Sequence, residues 1–326
     1  EVLIGIGVVM TLFPIFFAVI ENDLRKVLCY SLNNQLGFMV VGVGIGTELA
    51  LNGAVAHAFV HILYKALLFM SMGAVLYRTG TIRASDLGGL YRSMPWTAAF
   101  CIVGAMSISA FPLFSGFVAK SLTMSAVTEG YYMLTFIGLL IASAGVMEHS
   151  GIKIPYFAFF GHDSGIRCKE APWHMCLAMG AAAVLCIAIG WFPQPLYALL
   201  PYPVVYQPYA DFGHSVTQLQ LLLFAALAFV VLKRTGMYPA EQASLNLDTD
   251  WLYRRVAPRV IRQIVAASRQ VGRAFLQTGS ELGRTLMRLV LNHYGPEGTL
   301  ARAWPTGSMV LWVAVLLGAS LILFYL

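Results

Sequence analysis

The chain has 326 residues, 59% of them hydrophobic and only 11% charged, against roughly 25% charged in an ordinary soluble domain. That balance excludes a soluble globular domain and points to an all-α polytopic membrane protein. The formal net charge of +6 suggests nucleic acid as a partner, until the positions of the charges are read.

Apolar runs long enough to cross a hydrocarbon core, about 20 residues each, fall at 2–20, 27–45, 53–77, 95–128, 131–149, 174–192, 218–233 and 306–326. This makes about eight transmembrane helices, the fourth long and interrupted and the seventh short. If the spans alternate, Arg25, Lys26, Arg78, Arg83, Arg92, Lys153, Arg167, Lys169 and every basic residue from Lys233 to Arg302 share one side. The opposite loops, 46–52, 129–130 and 193–217, hold none. The positive-inside rule makes the basic side cytoplasmic, as in a bacterial inner membrane, with both chain ends outside. The charge therefore belongs to topology, and no nucleic-acid partner is expected. Lys65 and Lys120 remain inside the membrane.

In the first span Pro14 predicts a bend in a packing helix. The second opens with CYSLNNQLG, where Ser31 and Gln35 stand one turn apart on one face. Such side chains either hydrogen-bond neighbouring helices or line a hydrated path.

The third span contains HAFVHILYKALLF. His57, His61 and Lys65 recur every four residues, forming one stripe within about 80° of arc and about 12 Å of rise. With water between them, that spacing suits a proton relay, since imidazole donates at one nitrogen and accepts at the other and changes state near neutrality. An ammonium at the depth of Lys65 costs several kcal/mol unless hydrated or paired. The competing reading makes the histidines interhelical hydrogen-bonders.

The fourth span holds Pro112, Ser115 and Gly116 at its centre. Proline removes a backbone donor and clashes with the preceding turn, so the helix is predicted to break at mid-membrane, where freed backbone groups must face protein or water. Lys120 follows the break. Carbonyls ending the first half-helix can solvate its ammonium; the alternative is a lysine that snorkels to the outer surface. Glu148 and His149 end the fifth span, either as the inner mouth of a path or as solvated helix-end residues.

Cys29, Cys101, Cys168, Cys176 and Cys186 show no CxxC spacing and read as packing residues. The segment 234–304 is of another kind. From Val260, a helical projection gathers Ile264, Val271, Phe275, Leu282, Leu286 and Leu289 on one side and Arg262, Arg269, Arg273, Arg284 and Arg288 on the other. This predicts an amphipathic helix along the cytoplasmic interface, approached through Asn246–Asp250 and Pro258 and ended by Gly295 and Pro296; a docking helix for a soluble partner competes. Four regions follow: a five-helix half-channel at 1–149, two further spans with their loops at 150–233, the basic amphipathic region at 234–304 and a last span at 305–326. No Walker loop, GxGxxG, zinc spacing, nucleophile elbow, haem or iron–sulfur ligand set occurs, so no catalytic residue, metal or cofactor is expected.

Four stretches in order, NDLRKVLCYSLNNQLGFM, HAFVHILYKALLFMSMGAVL, DLGGLYRSMPWT and FPLFSGFVAKSLT, resemble the antiporter-like membrane subunits shared by respiratory complex I and the multisubunit Mrp-type Na+/H+ antiporters. GIKIPYFAFFG is most similar to the D-type chain of the Mrp antiporters. The resemblance covers most of residues 1–235 and implies two inverted five-helix repeats, each half of a proton path with a broken helix. Residues 2–149 would be the second repeat, His57, His61 and Lys65 its central relay and Lys120 its terminal lysine. The family's first repeat carries a membrane glutamate paired with lysine, and no such pair is read in this sequence. The chain begins with Glu1, not Met, and has no signal-peptide pattern, so it reads as a fragment or one half of a split subunit.

The expected function is a proton- and Na+-translocating subunit of a monovalent cation/proton antiporter, acting with other membrane subunits that include one supplying the missing half-channel. Alternatives are a proton-pumping subunit of a complex I-like NADH-quinone oxidoreductase or membrane-bound hydrogenase, where the chain would be part of a translocase, and a non-conducting scaffold.

Overall fold

A computed structural model describes residues 1–210, 212–238, 241–243, 246, 250–300 and 305–325. These are all-α, with seven helices long and apolar enough to cross a membrane: α1 (Val2–Ile20), α2 (Leu24–Ile45), α3 (Glu48–Thr79), then, beyond a broken pair, four more. The broken pair is α4 (Pro95–Ile108) and α5 (Ser115–Glu129). After it come α6 (Met133–Phe160), α7 (Trp173–Trp191), α8 (Phe212–Arg234) and, past α9 (Ala257–Tyr294), α10 (Thr306–Tyr325). With the broken pair counted as one crossing, the protein is a polytopic membrane protein of about eight spans.

Residues 1–246 form one compact unit and 247–326 another. In the first, α1 runs along α2, and α3 is the central helix, packed against α2, α4, α5 and α7. Gly37 permits the close α1–α2 approach, because a Cβ there would meet the Gly7 carbonyl and the Thr11 backbone. Small residues at a membrane helix crossing let dispersion contacts form where there is no hydrophobic driving force. In the second unit, α9 is 38 residues long with its apolar and basic faces segregated and no residue buried within the unit. Residues 247–249 of its expected approach, and Arg302, lie outside the described residues.

The fourth span breaks between Ile108 and Ser115. Ala110 and Leu113 both take positive φ, 57° and 72°, which non-glycine residues seldom adopt. The freed backbone groups are taken up individually: the Leu113 amide donates to the Tyr209 hydroxyl (3.2 Å), which donates to the Gly190 carbonyl, and the Gln218 amide reaches the Ser109 carbonyl (3.4 Å). Across the gap Ser107 and Ser115 hydroxyls lie 2.7 Å apart.

Two expectations are corrected. The seventh span is not short, since α8 is 23 residues long. The fifth span does not end at 149: α6 continues to Phe160 through wide π turns at Met147–Ile152 and Tyr156–Phe160. Lys153, read as a loop residue, is therefore inside a helix and fully buried. Widened turns need different backbone donors from an α-helix, which lets Pro155 pass without ending the helix.

Gly116 opens α5 where a Cβ would strike the Ser107 carbonyl. Gly116→Ala must push the half-helices apart and should cost at least the about 1–3 kcal/mol of ordinary overpacking; thermal unfolding of the purified protein in detergent checks it.

Candidate functional site

The expected relay residues lie in the core of the first unit. His57, His61 and Lys65 on α3 are all buried, at 0%, 8% and 4% exposure, as is Lys120 on α5 at 4%. Lys120 turns back across the break, and its Nζ donates to the carbonyl of Ile108, the last residue of α4, at 2.9 Å. The Phe38 ring lies 5.0 Å from that ammonium and 5.8 Å from the His57 ring, so it touches both groups.

His57 belongs to a fixed hydrogen-bond chain that starts at the backbone. Asn34 Nδ2 donates to the Thr11 carbonyl, which leaves Asn34 Oδ1 to accept from Gln35 Nε2 at 2.8 Å. Gln35 Oε1 must then face His57 Nε2 (3.0 Å) and the Tyr64 hydroxyl (3.1 Å), and the Tyr64 hydroxyl also lies 3.0 Å from His57 Nε2. The tyrosine proton goes to Gln35, so His57 Nε2 is the donor in this array. Its Nδ1 is left buried as a bare acceptor with no partner among the described residues. His61 Nε2 and Lys65 Nζ are likewise buried without a partner there.

Ser31 and Gln35 share a helix face but bond differently. Ser31 Oγ accepts from Ser150 Oγ at 2.9 Å, and Ser150 Oγ lies 2.8 Å from His149 Nδ1. Since the serine proton points to Ser31, His149 Nδ1 donates, and Nε2 is again a buried bare acceptor. His149 is within electrostatic range of Lys65, Lys120 and Lys153.

Glu148 does not join this array directly. Its carboxylate faces the Tyr238 hydroxyl, Lys153 and Glu241. Lys153 Nζ lies 3.0 Å from Glu241 Oε1 and also donates to the Val19 and Glu21 carbonyls that end α1, the latter at 2.8 Å. A buried lysine–glutamate pair thus exists, but Glu241 lies outside the spanning helices, so it is not the membrane pair expected to be missing; its members are far apart in sequence, and nothing in the local pattern pairs them. Burial raises the Glu241 carboxyl above its usual range, with Lys153 opposing. The Tyr238 hydroxyl is raised by burial and by Glu148.

Beside Lys120 and Phe38 is a cavity of about 50 Å³, walled mostly by apolar side chains but with Ser121, Ser143, His214, Thr217 and Gln218 in its lining, room for water. Pro112 lies in the break and Ser115 and Gly116 begin α5. Sequence reasoning missed Tyr64, Asn34, Ser150 and the cavity residues. Tyr64 follows His57 at seven residues and was legible as part of the stripe; the others needed the packing. No group of three or more His, Cys, Asp or Glu among the described residues could hold a metal ion.

Residues 1–146 match the family described as NADH:quinone oxidoreductase/Mrp antiporter, TM. The matched stretch holds the whole of α3 and the broken helix. The chain is 31% identical over 200 residues to the D-type chain of the Na(+)/H(+) antiporter of Alkalihalophilus pseudofirmus, covering 60% of this chain and 40% of that protein. It is 30% identical over 157 residues to NADH-ubiquinone oxidoreductase chain 5 of Sus scrofa, 48% of this chain and 25% of that one. The chain thus spans well under half the length of these relatives. An archaeal respiratory membrane complex, the membrane-bound sulfane sulfur reductase, shares the fold at a TM-score of 0.59 and 22% identity, over 100% of this chain and 56% of its own.

The amide chain from Thr11 to His57 gives an order of effects. Asn34→Ala strands the Thr11 carbonyl and the Gln35 amide and should cost about 2–3 kcal/mol, whereas Tyr64→Phe removes one hydrogen bond, worth about 1 kcal/mol. Comparison of the two variants by thermal unfolding in detergent tests the ranking.

Proposed function

We propose that this chain is one half of a proton- and cation-translocating subunit in a multisubunit monovalent cation/proton antiporter. Its path uses Lys65 as the central carrier, with His57 and His61 beside it, and Lys120 as the terminal carrier past the helix break. The observation that carries this reading is the set of buried, unpartnered proton-binding atoms, His57 Nδ1, His61 Nε2 and Lys65 Nζ, on one stripe of one helix. Leaving such groups unsatisfied in an apolar interior is costly, and intramembrane ionisable groups that persist at that cost serve transport by default. The match of residues 1–146 to the family shared by NADH:quinone oxidoreductase and Mrp antiporter supports a translocating role, and the likeness to the D-type chain of a Na(+)/H(+) antiporter favours the antiporter.

In operation, a proton arriving at Lys65 makes an ammonium within electrostatic range of Lys120. Two like charges in a low-dielectric core repel, which favours release from Lys120 into the cavity that His214, Thr217 and Gln218 line. Reprotonation of Lys120 from the stripe runs beside Phe38, whose ring is near both Lys120 and His57. Ser31, Gln35 and Glu148 belong to the same path, Gln35 by orienting His57 and Glu148 at its inner mouth. The basic loops face the cytoplasm of a bacterial inner membrane, α9 lies along that interface, and other membrane proteins of the complex complete the path.

The same half-channel serves a redox-driven pump in a second reading, favoured by the match to NADH-ubiquinone oxidoreductase chain 5 and by a fold shared over the whole chain with a respiratory complex. Copurified subunits separate the two: iron–sulfur proteins indicate the pump. A non-conducting scaffold would hold each lysine on a carboxylate, and Lys65 has no such contact among the described residues.

Lys120→Met in the assembled complex should lower cation-dependent proton flux into vesicles by about 100-fold or more, the usual weight of a proton-transfer group. Wild-type flux from correctly assembled complex would sink the role of Lys120.

A further inference from the structure

The cluster at the π-wound end of α6, whose Glu148 stands at the inner mouth of the path, extends beyond the relay of Lys65 and Lys120. Lys233, at the exposed end of α8, places its ammonium 5.1 Å from the Phe157 ring and 5.6 Å from the Tyr238 ring. It is within electrostatic range of Glu241. Glu241 is 8% exposed at its side chain and paired to Lys153. Near the pair, both carboxylate oxygens of Glu148 are buried without a close hydrogen bond among the described residues. Next along the chain, His149 is completely buried, holds its Nδ1 proton toward Ser150 and leaves Nε2 bare, facing the field of Lys65.

We propose that Glu148 is a proton-loading carboxylate that takes protons from the aqueous side next to Glu241 and hands them through His149 to Lys65, giving this chain an entrance of its own. The inference rests on the reading that Lys65 carries protons. The chemistry is a relay without net change. A proton on Glu148 passes by way of water to the lone pair of His149 Nε2, the imidazolium gives it up by way of water to the amine of Lys65, and Glu148 is left as a carboxylate for the next. Groups facing Glu148 are the Lys153 ammonium, which stabilises that carboxylate, Glu241, which opposes it, and the Tyr238 hydroxyl. Lys153 has its donors committed to Glu241 and the carbonyls ending α1, so it acts as a fixed charge and not as a carrier.

The test uses the assembled complex in vesicles with a pH-sensitive dye, comparing Glu148→Gln, Glu148→Asp, His149→Gln and Lys65→Met. The expected result is that Glu148→Gln and His149→Gln each lower proton flux by about 100-fold, that Glu148→Asp restores most of it, and that Lys65→Met abolishes it. Wild-type flux in Glu148→Gln and His149→Gln beside a silent Lys65→Met overturns the entrance and leaves the relay standing. Wild-type flux in Lys65→Met removes the relay and the entrance with it. Where Glu148→Gln does not assemble, infrared spectra of the chain in H2O and D2O decide. A carboxylic-acid band that titrates and is moved by Glu148→Asp supports the site, and its absence at every pH overturns it.

Discussion

The hydrogen bond from Lys120 to the Ile108 carbonyl is the contact on which the first unit turns. A helix interrupted inside the hydrocarbon layer leaves carbonyls that lipid cannot satisfy, and an ammonium inside that layer needs acceptors that lipid cannot provide. Each defect is the remedy for the other. For them to meet, α5 must begin close against the end of α4, which requires Gly116 beside the Ser107 carbonyl and the left-handed turns at Ala110 and Leu113. Those turns are held from outside by Tyr209 and Gln218, so the loop before α8 and α8 itself become part of the site.

A second constraint fixes protons and not charges. Amide side chains can be turned either way at little cost, so a histidine beside one has no defined tautomer. Here the ambiguity is removed at the Thr11 carbonyl, which can only accept, and the decision propagates through Asn34 and Gln35 to His57. The Ser31–Ser150–His149 array sets its own histidine in the same way. In each, one ring nitrogen is committed as a donor to a buried side chain and the other is held without a partner among the described residues, the arrangement a ring needs in order to receive a proton on one side and give one up on the other.

How much of this the sequence carried depends on the range of each interaction. The stripe at His57, His61 and Lys65 is a matter of helical spacing, and the interruption of the fourth span follows from Pro112 with small residues after it; both are local, and both were legible. So was the alternation of apolar runs with basic loops that gives the membrane class. The end of α6 was not, because Glu148, His149, Ser150 and Lys153 in succession look like the start of a loop, and only contacts from Ser31, the end of α1 and Glu241 make them an interior. The cavity beside Lys120 was hidden for the same reason: His214 and Gln218 stand more than ninety residues further along the chain and look ordinary in their own helix.

The three buried lysines show how hydrogen-bond supply separates fixed from movable charge. Lys153 has a carboxylate and carbonyls at the end of α1 arranged around its ammonium, and truncating it would leave Glu241 buried without its counter-charge, the most damaging way to break a buried pair. Lys120 has one carbonyl and a ring face, enough to hold it in place and too little to occupy all its donors. Lys65 has no hydrogen-bond partner among the described residues. Since a membrane-buried group left so undersupplied is paid for by the rest of the fold, the order Lys153, Lys120, Lys65 runs from architecture toward function. It leads from the edge of the bundle to its central helix, where a proton binding or leaving changes the local field most.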